Sequence, residues 1–252
     1  MEINGKKAIV VGGASGMGRA SAELLARRGA KVAILDRPES EGEKVAAQLD
    51  GPFHPVDITD FEAAETAINA AVEDLGGVHV SVTTAGGGIA KRTLGKEGPH
   101  DLESFRGVID LNLVATFNIS RLMAAHMSAN EPEDEERGVI VNTASIAAFE
   151  GQIGQVAYTA AKAGIAGMCL TMARDLGSLG IRVLAIAPSL FATGITSKIP
   201  DDFAKALTKD AAFPKRMGRP EEYAKLVLSI VDNQMLNGQC LRLDAGQRFA
   251  PR

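Results

Sequence analysis

The chain has 252 residues, 46% hydrophobic and 23% charged, with a formal net charge of -4 at pH 7, the composition of a folded globular protein with room for one large core. That balance excludes disorder over most of the length and gives no global attraction to nucleic acid or to an anionic bilayer. Cys169 and Cys240 lie in no C-x-x-C, and His54, His79, His100 and His126 are dispersed, which argues against a disulfide framework, a structural zinc and a metal-hydrolase motif, so no metal is expected. The first residues lack the apolar stretch of a leader, and no run approaches the ~20 apolar residues of a membrane span. A cytoplasmic enzyme or binding protein without nucleic-acid or membrane partners is the default expectation.

Short β-branched runs alternate along the chain with longer Ala-rich segments of helical period, the rhythm of βαβ units. Strands are expected at Lys7 to Val11, Lys31 to Leu35, Phe53 to Val56, Val78 to Thr83, Val139 to Thr143, Ile181 to Ile186 and Cys240 to Leu243. Their continuous apolar character suits parallel strands covered on both faces. Helices are expected between them, at Gly18 to Arg28, Glu41 to Leu49, Phe61 to Leu75, Leu102 to Ser128, Val156 to Leu179, Asp201 to Lys209 and Pro220 to Asp232. Gly29 and Gly180 stand where helices stop, and Pro220 followed by Glu221 and Glu222 opens the last helix. The polar stretch from Ser128 to Gly138 reads as a solvated loop, with an acidic docking site as its alternative. The whole is expected to be one domain, residues 1 to 252, with the α/β Rossmann fold: a doubly wound, seven-stranded parallel sheet with helices on both faces. In such a sheet ligands bind beyond the carboxyl ends of the strands.

The first strand runs into Gly12-Gly13-Ala14-Ser15-Gly16-Met17-Gly18 and then directly into a helix. The G-x-x-x-G-x-G spacing lets the backbone approach a pyrophosphate seated on the helix's free N–H groups, although a plain tight turn reads the same way when taken alone. No Lys-Ser/Thr follows, so this is not a Walker A loop. Asp36, 18 residues beyond Gly18, ends the second strand, where a carboxylate can accept both hydroxyls of an adenosine ribose. The same charge repels a 2′-phosphate, which favours NAD over NADP; Arg37 beside it leaves dual specificity open. Asp57 is read either as an acceptor for the adenine amino group or as a turn or cap residue before the helix at Phe61.

Tyr158 and Lys162, four apart, share one helix face. An ammonium beside a phenol favours phenolate and brings it towards working range. Tyr-x-x-x-Lys alone is common; Ser145 adds weight, because it lies two residues past Thr143 at a strand's carboxyl end and 13 before Tyr158. Asn112, an amide in an apolar segment, serves either a helix kink or a proton relay.

Together these residues resemble the short-chain dehydrogenase/reductase family over essentially the whole chain. The resemblance implies Tyr158 as general acid/base, Lys162 lowering its pKa and holding the nicotinamide ribose, Ser145 bonding the substrate oxygen and Asn112 supporting a water-mediated relay. It implies a cofactor site built from Gly12, Ser15, Gly16, Met17, Gly18, Asp36, Asp57, Ile58, Thr84, Ala85, Gly86, Tyr158, Lys162, Pro188, Phe191 and Thr193. Two departures from the family pattern stand out: Thr84-Ala85-Gly86 replaces Asn-Ala-Gly, and Pro188-Ser189 replaces Pro-Gly.

The segments Asn142 to Gln155, Ala187 to Thr193 and Phe213 to Gly218, with Asn130-Glu131-Pro132 and Leu236-Asn237-Gly238, are similar to a subgroup that interconverts (S)-3-hydroxyacyl-CoA and 3-oxoacyl-CoA with NAD. That likeness implies Gln155 and Phe191 near substrate and cofactor, a small-molecule substrate, and a homotetramer whose tail from Asp244 to Arg252 approaches a neighbour's site. A broader alcohol, ketone or hydroxysteroid dehydrogenase and a non-catalytic NAD(H) sensor are the alternatives. Residues from about 190 to 215 are read as a substrate lid or an ordinary amphipathic helix. Lys91, Arg92 and Lys96 are read as contacts for nucleotide phosphates or as plain surface charge.

Overall fold

The computed structural model describes residues 1–194 and 201–251, with side chains at 201–203 left aside. Strands β1 (Lys7–Val11), β2 (Lys31–Asp36), β3 (Phe53–Pro55), β4 (Val80–Thr83), β7 (Gly138–Thr143), β8 (Ile181–Pro188) and β9 (Cys240–Leu243) form one sheet in the order β3-β2-β1-β4-β7-β8-β9. Every pairing in it is parallel. The Rossmann arrangement expected from the apolar runs is therefore present. Two short strands that no apolar run announces, β5 (Leu94–Gly95) and β6 (Gly98–Pro99), make a separate antiparallel hairpin.

Burial explains why these runs are strands. All residues of β4, β7 and β8 are buried, whereas the edge strands β3 and β9 are partly exposed. Side chains alternate across each strand, so Val10, Ile34, Val82 and Val141 pack on one face with helices α1 (Gly16–Arg27) and α8 (Pro220–Asp232). Val11, Leu35 and Ile140 pack on the other with α3 (Phe61–Leu75), α5 (Ala115–Met127) and α6 (Val156–Leu176). Each fully buried Val, Leu or Ile contributes roughly 1.5–3 kcal/mol. Helices α2 (Gly42–Gln48) and α4 (Leu102–Ile109) complete the layers; α7 (Asp201–Thr208) follows β8. Gly29 and Gly180 end their helices with φ of 91° and 68°.

Four expectations need correction or limit. The helix expected from Leu102 to Ser128 contains a π segment at Asp110–Val114 between α4 and α5. The run from Leu102 to Met127 and the 24 residues of Val156–Leu179 are each long and apolar enough to cross a membrane by composition, although both pack against the sheet. The loop from Ser128 to Gly138 is not wholly solvated. Glu136 is only 6% exposed; its Oε1 accepts from Arg182 Nε at 2.8 Å, and its Oε2 lies 3.0 Å from the Met1 amino nitrogen. Arg182 also donates to the Ile230 and Val231 carbonyls in the last turn of α8, groups left without partners in the helix itself, and to the Leu236 carbonyl beyond it. A charge pair that satisfies many donors tolerates burial, a feature that composition cannot reveal. Finally, part of the expected lid, 195–200, lies outside the described residues.

Candidate active site

The carboxyl ends of β1, β2, β4, β7 and β8 border a cleft of about 780 Å³. Its floor is the glycine turn. A Cβ on Gly18 would stand 2.1 Å from the Gly12 carbonyl oxygen, and one on Gly12 would stand 2.6 Å from the Ala85 nitrogen. Only a chain without side chains at these points lets the turn, α1 and the β4 end meet so closely. Ser15 takes the N-cap position of α1 in extended conformation without a side-chain capping bond, and no acid stands in the first turn. The helix thus presents its N–H groups and positive end to the cleft, where Ser15, Gly16 and Met17 form the wall. Thr193 packs over Gly16: a Cβ there would be 2.9 Å from Thr193 Cγ2.

Asp36 is tied to this turn. Its Oδ2 accepts from Ala14 N at 2.9 Å and its Oδ1 from Arg37 N at 2.8 Å, which leaves each oxygen a further lone pair for a ligand. The Arg37 guanidinium meets Glu39 at 2.9 Å on the surface. Asp57 and Ile58 line the adjoining stretch. Thr59 donates to Asp57 from its backbone and its hydroxyl, which lowers the Asp57 pKa, and the helix cap is Asp60. Thr84, Ala85 and Gly86 line the β4 side and Pro188 and Phe191 the β8 side. Thr84 Oγ1 donates to the Gly12 carbonyl at 3.1 Å, so the hydroxyl that stands where the family has an amide still braces the turn.

Ser145, Tyr158 and Lys162 converge at the other end of the cleft. Ser145 follows β7, and its Oγ accepts from Ala147 N at 3.1 Å, opening a short 3-10 turn. Lys162 Nζ is 5.6 Å from the Tyr158 ring centroid and donates to the Thr143 carbonyl at 2.7 Å. Burial lowers the Lys162 pKa to about 8. Burial also raises that of Tyr158, opposed by a hydrogen bond with Ser145. The expected downward pull of the ammonium on the phenol is not the dominant effect here, because desolvation disfavours both charged forms. At neutral pH the phenol keeps its proton, as a general acid requires.

Three residues expected at the site do not line the cleft. Gly18 lies behind the turn. Gln155 turns away to accept from Gln152 N at 3.0 Å through its side-chain carbonyl, which closes the loop before α6. Asn112 is fully buried in the π segment; its Nδ2 donates to the Gly87 and Val108 carbonyls, and its Oδ1 accepts from Gly87 N at 3.2 Å. It clamps the backbone after β4 from behind, the bridging role that a helix irregularity allows. Sequence reasoning missed Thr143 as the lysine's acceptor and Gly87 and Leu190 in the cleft wall; a main-chain acceptor leaves no side-chain signature. Lys91 pairs with Asp101, whereas Arg92 borders a second depression with Gln152 and Thr159. The tail lies against its own chain, with Gln152 Nε2 donating to Ala250 O and Ile153 N to Pro251 O.

A family profile described as short chain dehydrogenase matches residues 6–204. The chain belongs to the short-chain dehydrogenase family, a class of oxidoreductases that use a nicotinamide cofactor and small-molecule substrates. It is 47% identical over 254 residues to 3-hydroxyacyl-CoA dehydrogenase type-2 of Bos taurus, covering 99% of this chain and 97% of that one. The Drosophila melanogaster protein of the same name is 46% identical, with 99% and 100% covered. The crystal structure of 3-hydroxyacyl-CoA dehydrogenase type-2 from Mycobacterium avium superposes with a TM-score of 0.94 at 41% identity and full coverage of both chains.

Proposed function

We propose that the protein is an NAD-dependent dehydrogenase that interconverts (S)-3-hydroxyacyl-CoA and 3-oxoacyl-CoA. The observation that carries this reading is the single cleft in which the Ser145, Tyr158 and Lys162 side chains stand beside a glycine cradle backed by Asp36. The near-full-length likeness to proteins named 3-hydroxyacyl-CoA dehydrogenase type-2 supplies the substrate class.

The residues fit a dinucleotide: an uncapped helix start and a turn without Cβ atoms for the pyrophosphate, Asp36 for the ribose hydroxyls, and Thr193 above Gly16. When bound, the nicotinamide donates or accepts hydride at C4. In the reducing direction Tyr158 gives its phenolic proton to the substrate carbonyl oxygen, and the Ser145 hydroxyl hydrogen-bonds that same oxygen as negative charge develops there. Lys162 holds positive charge beneath the tyrosine and would hold the nicotinamide ribose. Asn112 fixes the Gly87 backbone, in the wall that would hold the cofactor. In oxidation Tyr158 takes the hydroxyl proton back.

Assembly into a homotetramer is part of the proposal, supported by the exposed apolar side chains Leu102, Phe117 and Leu170; a monomeric sedimentation mass would refute it. A cytoplasmic location accords with two unpaired cysteines, and fractionation tests it. A relative named ipsdienol dehydrogenase, 32% identical from Ips pini, favours a second reading as a broader alcohol dehydrogenase. Steady-state kcat/KM for acetoacetyl-CoA reduction with NADH and with NADPH decides between them. High turnover confined to NADH supports the acyl-CoA reading, and negligible turnover by an enzyme that still binds NADH transfers it to a non-CoA ketone.

A further inference from the structure

The group that receives the Lys162 ammonium is itself held from two directions. Thr143 Oγ1 lies 2.5 Å from the Thr83 carbonyl oxygen and 2.7 Å from the Tyr223 hydroxyl. A carbonyl has no proton to give, so the one hydroxyl proton of Thr143 goes to Thr83, and Tyr223 has to donate into Thr143 Oγ1. The result is a one-way chain from α8, through the last residue of β7, to the last residue of β4. The backbone carbonyl of that same Thr143 accepts from Lys162 at 2.7 Å.

Tyr223 is 0% exposed and packs in the apolar cluster that includes Val141, Ile186 and Val227. Phenylalanine would suit such surroundings, since a buried hydroxyl is costly unless it is bonded. Among the described residues the phenol's side-chain hydrogen-bond partner is Thr143. Its ring also meets Phe191, a cleft wall residue, edge-on at 6.4 Å and 89°. Tyr223 therefore touches the end of β7 and the segment after β8 without lining the cleft.

We propose that Tyr223 is a positioning residue for Lys162, acting through Thr143: its hydroxyl locks the end of β7 so that the Thr143 carbonyl meets the ammonium. The proposal rests on the reading of Lys162 as a member of the catalytic set. Without the phenolic donor the Thr143 side chain is held by the Thr83 carbonyl alone, while its backbone keeps its parallel pairing with β8. The buried ammonium then meets a less firmly fixed acceptor, and its charged form becomes less favourable.

The test uses the full chain with Tyr223→Phe, Thr143→Val and the double variant, assayed with acetoacetyl-CoA and NADH across pH. Tyr223→Phe is expected to lower kcat by roughly two- to tenfold, the worth of one neutral hydrogen bond, with KM for NADH little changed. The alkaline limb of kcat/KM set by Lys162 is expected to move to lower pH by about half a unit. Thr143→Val is expected to displace the limb in the same direction, and the double variant to do no worse than the poorer single, as for residues acting in one chain. A purely structural role would lower the melting temperature without moving the limb. Tyr223→Phe with an unmoved limb, while Lys162→Met is inactive, overturns this proposal alone. A Lys162→Met enzyme that keeps turnover and the alkaline limb overturns the reading of Lys162 and the proposal with it.

Discussion

Replacing Asp36 with asparagine tests whether its charge sets cofactor choice. Asparagine retains an oxygen able to accept from Ala14 N, as Asp36 Oδ2 does at 2.9 Å, so the glycine turn keeps its anchor. What disappears is the second acceptor, which takes Arg37 N, and a unit negative charge at the place where the outer ribose hydroxyls or a 2′-phosphate would lie. At ~4 Å and an effective dielectric of about 20 the repulsion of one phosphate charge is on the order of 4 kcal/mol. Asp36 is half-buried at a cleft mouth, and solvent screening reduces this to about 2 kcal/mol. Since ~1.4 kcal/mol is a factor of ten, the NADH/NADPH ratio of kcat/KM should fall by about 30-fold for one phosphate charge and by roughly 1000-fold for two.

Arg37 enlarges the gain on the NADPH side. Its guanidinium is paired with Glu39 at 2.9 Å, but both side chains are about two-thirds exposed. Such a pair is worth less than about 1 kcal/mol and yields to a dianionic phosphate. NADPH turnover should therefore rise in absolute terms, and the rise should shrink with added salt. The assay is acetoacetyl-CoA reduction with each cofactor at matched ionic strength. A ratio that stays within roughly threefold of the unaltered enzyme, well under one factor-of-ten step, would refute the argument that Asp36 excludes the phosphate by charge.

The remaining predictions concern proton transfer and the buried charges. Tyr158→Phe should cost roughly 100- to 10000-fold in kcat and leave NADH binding, read by fluorescence titration, nearly intact; retained turnover would remove Tyr158 from its role. Lys162, with a pKa lowered to about 8 by burial, loses its charge as pH rises through that value. The kcat/KM for reduction should hold steady below that pH and decline above it, and a profile without an alkaline limb near pH 8 would contradict the assignment. Arg182→Met should lower unfolding free energy by roughly 3–5 kcal/mol in urea titration, because Glu136 stays buried without its guanidinium. An unchanged midpoint would mean that the Met1 amino group alone compensates the carboxylate.

Local features carried most of what was legible in the sequence. Parallel strands buried on both faces require continuous apolar runs, so β1, β2 and β7 stand close to where the residues put them. The glycine turn, Asp36 and the Ser145, Tyr158 and Lys162 set each sit just beyond a strand or on one helix face. Parallel strands put all of these at one edge of the sheet, so their positions in the sequence already assign them to one cleft. The hairpin β5–β6 escaped because two-residue strands contain no periodicity to read.

The tertiary structure alone decided which polar groups meet across the sheet. Gln155, at the N-cap of α6, closes its own loop through its side-chain carbonyl. Asn112 turns out to hold the backbone of Gly87, which no local pattern predicts. Glu136 in a polar loop becomes the buried partner of Arg182, 46 residues away, and Tyr223 reaches Thr143 from 80 residues away. The physical reason is common to all four: a hydrogen bond depends on the last ångström of approach between side chain and backbone. Hydrophobic pattern sets which faces are buried, but only the packed sheet and helices set those distances.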